Sequence, residues 1–307
     1  MGVLLTFKKI RMSKITCFGE ILWDVFPTHK TIGGAPLNVA LRLQSFQNEI
    51  ALISCLGDDK SGTELQLELQ KNSISSYYIQ KDKEYKTSTV AISLDENGSA
   101  SYLINHPCAW DNIQLNSELK SLVKSSEAFV FGSLVARSNT SRNTLIKLLT
   151  FSKFSVFDVN LRPPHYNISS IKVLMNAANF IKFNDDEITE ISKSLGIQGE
   201  SIEHTISYVA TYSNTASICV TLGEKGAILY YEKRFFYSKG YQVEVADTVG
   251  SGDSFLATLI DALLKREDPQ LAIDRACAVG ALVAKSSGAN PMISKEEIDA
   301  IMNQDLP

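Results

Sequence analysis

Short apolar, often β-branched runs alternate with segments of helical periodicity along most of the chain. The runs at Ile15 to Phe18, Ile50 to Cys55, Ala128 to Phe131, Ser155 to Val159, Phe180 to Phe183 and Ile218 to Leu222 predict strands. Between them, apolar residues recur at helical spacing near Leu37 to Phe46, Gly62 to Gln70, Asn139 to Thr150, Ile171 to Ala178 and Asp186 to Leu195. Few of the strands alternate polar and apolar positions, as expected when helices cover both faces of a sheet. This rhythm predicts an α/β fold with a doubly wound, mostly parallel central sheet flanked by helices. One stretch departs from it. Thr87 to Leu94 and Ser99 to Asn105 flank Asp95-Glu96-Asn97-Gly98 and predict a β-hairpin with an Asn-Gly turn, either a lid or an antiparallel edge of the main sheet.

Composition narrows the function classes. At 307 residues with 44% hydrophobic and 21% charged residues, the chain is long enough to bury a full globular core. A net charge of −4 with no run of Lys or Arg supplies no basic field, which argues against a nucleic-acid partner or an anionic membrane surface. Cys17, Cys55, Cys108, Cys219 and Cys277 are scattered, odd in number and free of C-x-x-C spacing, so they read as reduced buried hydrophobes in a cytoplasmic protein. The first 14 residues carry only a short apolar run and no small-residue cleavage site, so neither a signal peptide nor an anchor is expected. Residues 1–13 read as an N-terminal extension, with Met12 as an alternative start.

The densest chemistry lies at Asp247-Thr248-Val249-Gly250-Ser251-Gly252-Asp253-Ser254-Phe255. Phe255, Leu256, Leu259, Ile260, Leu263 and Leu264 follow at helical spacing, which places Gly250 to Asp253 at a helix N-terminus. Unpaired N–H groups and the positive end of the helix dipole attract phosphate oxygens there. Glycines 250 and 252 let the backbone approach an anion. Asp253 suits a general base beside such a cradle, or a simple helix cap.

Five further stretches carry candidate groups. Gly33-Gly34-Ala35-Pro36-Leu37-Asn38 opens a helix, with proline suited to its first turn and the glycine pair readable as a tight turn. Gly19 to Asp24 ends the first strand, so Asp24 lies at the carboxyl-end crevice where open α/β sheets bind ligands, or serves a turn. Asp158-Val159-Asn160-Leu161-Arg162 closes another strand, and Arg162 can clamp a phosphate or carboxylate or join a surface ion pair. Asn184-Asp185-Asp186-Glu187 has the spacing of a capping box, and Thr221 to Gly226 that of a hairpin turn.

In order and wording these segments resemble the PfkB, or ribokinase-like, carbohydrate kinases over roughly residues 14 to 303. Asp247 to Phe255 matches the signature D-T-x-G-[AS]-G-D-x-F, and Gly33 to Asn38 matches the other family signature. The resemblance implies a ribokinase-like fold with a small β-sheet lid contributed mainly by about residues 85–108, often used for dimer contacts. It implies Asp253 as catalytic base, Gly250, Ser251 and Gly252 as anion hole, and Asp247 beside a monovalent cation such as K⁺. Asp24, Gly33, Gly34 and Asn38 would hold the sugar, joined by Arg162. Asn184, Thr221, Gly223 and Gly226 would line the ATP site, with Glu187 organising Mg²⁺ through water. Val249 and Ser251 stand where threonine and alanine are common, and both leave the backbone N–H groups in place.

The form G-E-x-x-W-D-x-F-P at Gly19 to Pro27, with D-x-N-x-R at Asp158 to Arg162, is most similar to fructokinases, so D-fructose is the expected acceptor. Ketodeoxygluconate, ribose and nucleosides are the alternatives. The hairpin from Thr87 to Asn105 contains no Arg or Lys, which weighs against an acceptor that already bears a phosphate. The first strand leads into no G-x-G-x-x-G and the chain holds no Walker A sequence, which sets aside dehydrogenases and P-loop kinases. A non-catalytic sugar-sensing relative would be expected to lack Asp253 or its glycines, and this chain keeps them.

Overall fold

The computed structural model describes residues 11–94, 100–197 and 201–303. In chain order the first half contains β1 (Lys14–Phe18), β2 (Leu22–Val25), β3 (Lys30–Gly33), α1 (Ala35–Ser45), β4 (Glu49–Gly57), α2 (Lys60–Lys71), β5 (Ile79–Asp82), β6 (Ser88–Leu94) and β7 (Ala100–Ile104). Next come α3 (Ser117–Ser125), β8 (Ala128–Gly132), α4 (Asn139–Leu149), β9 (Ser155–Asp158), α5 (Ile168–Asn176), β10 (Phe180–Asn184) and α6 (Asp185–Ser194). The last part holds α7 (Ile202–Tyr212), β11 (Ser217–Thr221), β12 (Ala227–Tyr231), β13 (Arg234–Ser238), α8 (Ser251–Leu264), α9 (Pro269–Ala284) and α10 (Lys295–Met302).

Among the described residues nine strands form one sheet in the order β13-β12-β11-β10-β9-β8-β1-β4-β5. From β5 to β11 every pairing is parallel, and β12 and β13 add an antiparallel edge. The expected doubly wound sheet is therefore borne out. Its strands are apolar on both faces because both are covered. In β8, Phe129 and Phe131 face one core with Phe157 and Leu145, while Ala128 and Val130 face the other with Leu37 and Leu256. Strand order reverses beside β1, whose neighbours are β4 on one side and β8 on the other. The carboxyl ends around that switch point form the crevice where such sheets take ligands.

A second, four-stranded sheet in the order β3-β2-β6-β7 stands apart from the large one. The expected hairpin is present as β6 and β7, antiparallel with Val90 opposite Ile104 and Leu94 opposite Ala100, while the Asn97-Gly98 turn lies outside the described residues. The sequence reading did not anticipate that Leu22–Val25 and Lys30–Gly33 supply the other half. β2 runs parallel to β6, so Asp24 pairs with Val90 and the small sheet begins directly from the end of β1. Asp59 ties its base to the body, accepting from Thr87 N at 2.9 Å, Thr87 Oγ1 at 2.9 Å and Gly62 N at 2.7 Å. The Gly57 to Gly62 turn thus has a structural role, anchoring the small sheet. All five cysteines are free and buried, and no described helix is long and apolar enough to cross a membrane.

Candidate functional site

α8 buries nearly its whole length, from Ser254 to Leu263, so its first turn is held rigidly against α9 and α1. Gly250 caps it with φ 76°, a left-handed conformation open to glycine without penalty. A methyl group there would also lie 2.7 Å from Ala289 Cα, so the loop before α10 packs directly on the cap. Ser251 Oγ donates to Gly280 O of α9 at 2.9 Å, and Ser251 N–H closes a turn on Thr248 O at 3.2 Å. The N–H groups of Gly252 and Asp253 follow in the first turn, where no intrahelical acceptor exists.

Asp253, third residue of α8, meets residues expected on the acceptor side. Asn38 Nδ2 donates to Asp253 Oδ2 at 2.8 Å, and Asn290 Nδ2 donates to Asn38 Oδ1 at 2.8 Å, so one amide bridges the loop before α10 to the acid. Burial, and then the neighbouring Asp158 carboxylate, push the Asp253 pKa up to about 6, against the Asn38 hydrogen bond and the charges of Lys182 and Arg162. Asp24 is likewise raised to about 6 by burial and by Asp253. Gly33 makes room for it, since a methyl group there would lie 2.7 Å from Asp24 Cγ. Gly34, at φ 114°, packs on the Glu20 backbone. Arg162 is exposed just beyond β9, donates to Leu161 O at 2.9 Å, and its charge reaches both Asp253 and Glu20.

On the other side of the α8 N-terminus lies a cavity of about 620 Å³. Asn184, Thr221, Gly223, Gly226, Ser251 and Gly252 are among its lining residues, so the expected nucleotide-side positions converge. Thr221 ends β11 and donates to Phe183 O at 3.3 Å, and Gly223 and Gly226 turn at φ 61° and 90°. Glu187 does not line the cavity. Its carboxylate accepts Asn184 N–H and Leu161 N–H, each at 2.9 Å, and burial raises its pKa. The capping box with Asn184 is therefore present. Among the described residues no group of three or more acid, His or Cys side chains could hold a metal ion. Each Glu187 oxygen nevertheless keeps lone pairs for water, which suits an outer-sphere contact. Asp247 accepts Val249 N–H at 3.0 Å and Gly288 N–H at 3.3 Å, clamping the glycine loop to the segment before α10.

The roles of Glu20 and Lys182 at this junction escaped the sequence reading. Glu20, 2% exposed, has Oε2 without a hydrogen-bond partner among the described residues, and burial lifts its pKa to about 7. Lys182 pairs with Asp158 at 2.9 Å beneath Gly252, both side chains being under a tenth exposed. Asn290 orients Asn38. An acid at the end of a strand and a lysine inside an apolar strand were the available signals.

The assembly places one carboxylate of raised proton affinity at a helix N-terminus, with a cavity on one side and a second acid, two glycines and an amide on the other. Such an arrangement can take a proton from a hydroxyl while backbone N–H groups meet developing negative charge. The chain is 29% identical over 311 residues to fructokinase-2 of Solanum lycopersicum, covering 91% of this chain and 92% of that protein. It is 29% identical over 273 residues to a putative sugar kinase of Pyrococcus horikoshii, covering 86% and 83%. A crystal structure of an uncharacterized sugar kinase from that organism in complex with ATP superposes with a TM-score of 0.79 at 26% identity, over 94% of this chain and 99% of the other. The family model of the pfkB carbohydrate kinases matches residues 8–296, and with that span the chain belongs to the pfkB family of carbohydrate kinases.

Proposed function

We propose that this sugar kinase uses ATP to phosphorylate a primary hydroxyl of free D-fructose. The observation that carries the reading is the position of Asp253. It sits on the glycine-capped first turn of α8, between the cavity lined by Asn184, Thr221 and Gly252 and the acceptor residues Asp24 and Asn38. ATP would occupy that cavity, its terminal phosphate at the Gly250 to Gly252 loop. The sugar would lie against Gly33, Gly34, Asn38 and Asp24, with Asp253 drawing the proton from its hydroxyl. Mg²⁺, held mainly by nucleotide phosphates, would neutralise charge on their oxygens, with Glu187 and Asn184 orienting its waters. A K⁺ ion is proposed beside Asp247.

The small sheet, together with residues 85–108, would act as a lid over the acceptor and exclude water. The same surface is proposed for homodimer contacts, in a single ribokinase-like domain over residues 14–303. Fructose is favoured by the tomato relative and by the segments Gly19 to Pro27 and Asp158 to Arg162. One observation supports a second acceptor class. The exposed Arg162 guanidinium acts on Asp253 and Glu20, which suits the carboxylate of a sugar acid such as ketodeoxygluconate. The test is ADP release with Mg²⁺-ATP and K⁺ across fructose, ribose, glucose, ketodeoxygluconate, fructose 6-phosphate and adenosine. The fructose reading expects fructose-dependent turnover well above the rest. Preference for ketodeoxygluconate would replace it with the second reading.

A further inference from the structure

The floor beneath the α8 N-terminus holds an ammonium that the mechanism above leaves unused. Lys182, third residue of β10, is only 6% exposed. A lysine ammonium carries three donors, yet among the described residues its one hydrogen-bond acceptor is Asp158 Oδ1 at 2.9 Å. Burying a charge with unspent donors is costly unless a partner repays it. Asp158 Oδ2 is also buried and unpartnered, so the pair does not satisfy itself.

The position of the ammonium indicates the missing acceptor. A methyl group on Gly252 would lie 3.4 Å from Nζ, which seats the charge against the second residue of α8, in the turn whose N–H groups have no helical acceptors. Gly252 and Asn184, two residues further along β10, both line the large cavity, and the Asp253 carboxylate feels the Lys182 charge. The spare donors therefore sit where the cavity wall and the general base meet. Burial opposes the charge on Lys182, but Asp158 and Glu187 outweigh it and hold the pKa above the ordinary lysine value, so the group is cationic at neutral pH.

We propose that Lys182 is a catalytic residue whose ammonium contacts the phosphoryl group during transfer. The inference rests on the ATP-dependent reading given above. The acceptor oxygen forms a bond to the γ-phosphorus as its proton passes to Asp253. The bond from that phosphorus to the bridging oxygen breaks, and its electron pair leaves with ADP. Lys182 neutralises charge on the oxygens of the moving group, while Asp158 keeps the ammonium in place between turnovers.

The test compares the full-length wild type, Lys182→Met and the double variant Asp158→Asn/Lys182→Met by steady-state kinetics, thermal midpoint, and binding of ADP with and without aluminium fluoride. Lys182→Met strands the Asp158 charge and is expected to lower stability; the double variant removes that charge and restores the midpoint. Turnover of the double variant should stay down by roughly 100- to 1,000-fold with the KM values for sugar and ATP little changed. Its affinity for ADP should be unchanged while the tightening by aluminium fluoride is lost. Recovery of turnover along with the midpoint would show the pair to be structural and overturn the inference alone. Wild-type protein that forms no ADP with any acceptor would overturn the phosphoryl-transfer reading and this inference with it.

Discussion

Replacing Asn38 by alanine should move the acid limb of activity rather than merely lower it. Asn38 Nδ2 donates to Asp253 Oδ2 at 2.8 Å and favours the ionised acid, whose pKa stands at about 6. A hydrogen bond to a charged group is worth about 1.5–3 kcal/mol, or roughly one to two pKa units at 1.36 kcal/mol each. The general base works ionised, so the acid limb of kcat/KM should rise to roughly pH 7–8. At pH 7 the ionised fraction would fall from about nine-tenths to between about half and a tenth, a loss of roughly 2- to 10-fold that largely disappears near pH 9. Asp24, Asp158, Glu20, Lys182 and Arg162 share the field at Asp253, so the limb reports the coupled set. Asn290 also loses its acceptor in this variant, so the midpoint of the profile is the decisive quantity and the plateau is not. The assay is kcat/KM for the sugar from pH 5 to 9.5 for both proteins. Equal midpoints with a uniformly lower curve would refute the argument and leave Asn38 a substrate contact or packing residue.

Glu20→Gln tests the burial of a carboxyl at the switch point. Its folded pKa of about 7 lies above the ordinary 4.5, so ionisation is disfavoured in the fold: the cost is absent below the ordinary value and complete above about 7. The variant should be more stable at pH 8 by roughly 3 kcal/mol at most and unchanged near pH 4, by urea denaturation; equal stability at pH 8 would show the acid to be compensated. Gly250→Ala places a side chain at φ 76° and against Ala289, costing about 1–2 kcal/mol from the left-handed backbone alone. Calorimetry should show a lower midpoint and kinetics a fall in kcat, because Asp253 shifts with the cap; unchanged kcat would mean the loop absorbs the methyl group elsewhere.

The parts of the site most legible in the sequence are those where chemistry constrains residue type locally. Gly250 needs a positive φ, Pro36 sits in the first turn of α1, and Asn184 with Glu187 forms a capping box, so each motif states its own geometry. The β-branched runs gave the parallel sheet for the same reason, since strands covered on both faces are apolar throughout. What stayed hidden depends on distant pairing. Leu22–Val25 and Lys30–Gly33 are four-residue strands, too short to show a period, and acquire their identity only beside β6. Ile202–Tyr212 is helical although Ile, Thr, Val and Tyr suit a strand equally well. Lys182 lies in Phe-Ile-Lys-Phe-Asn, where alternation would point a lysine to solvent; its burial follows from Asp158 on the adjacent strand. Glu20 looked like part of a turn motif, and only the approach of Gly34 and α8 reveals it as a buried acid.

The central claim, that Asp253 is the base of a sugar-dependent phosphoryl transfer, is tested most directly by comparing fructose-dependent ADP formation by the wild type and Asp253→Asn, with fructose binding measured in parallel. The account predicts turnover in the wild type, loss of most of it in the variant at every pH, and nearly unchanged fructose affinity. A variant that turns over at the wild-type rate would contradict it.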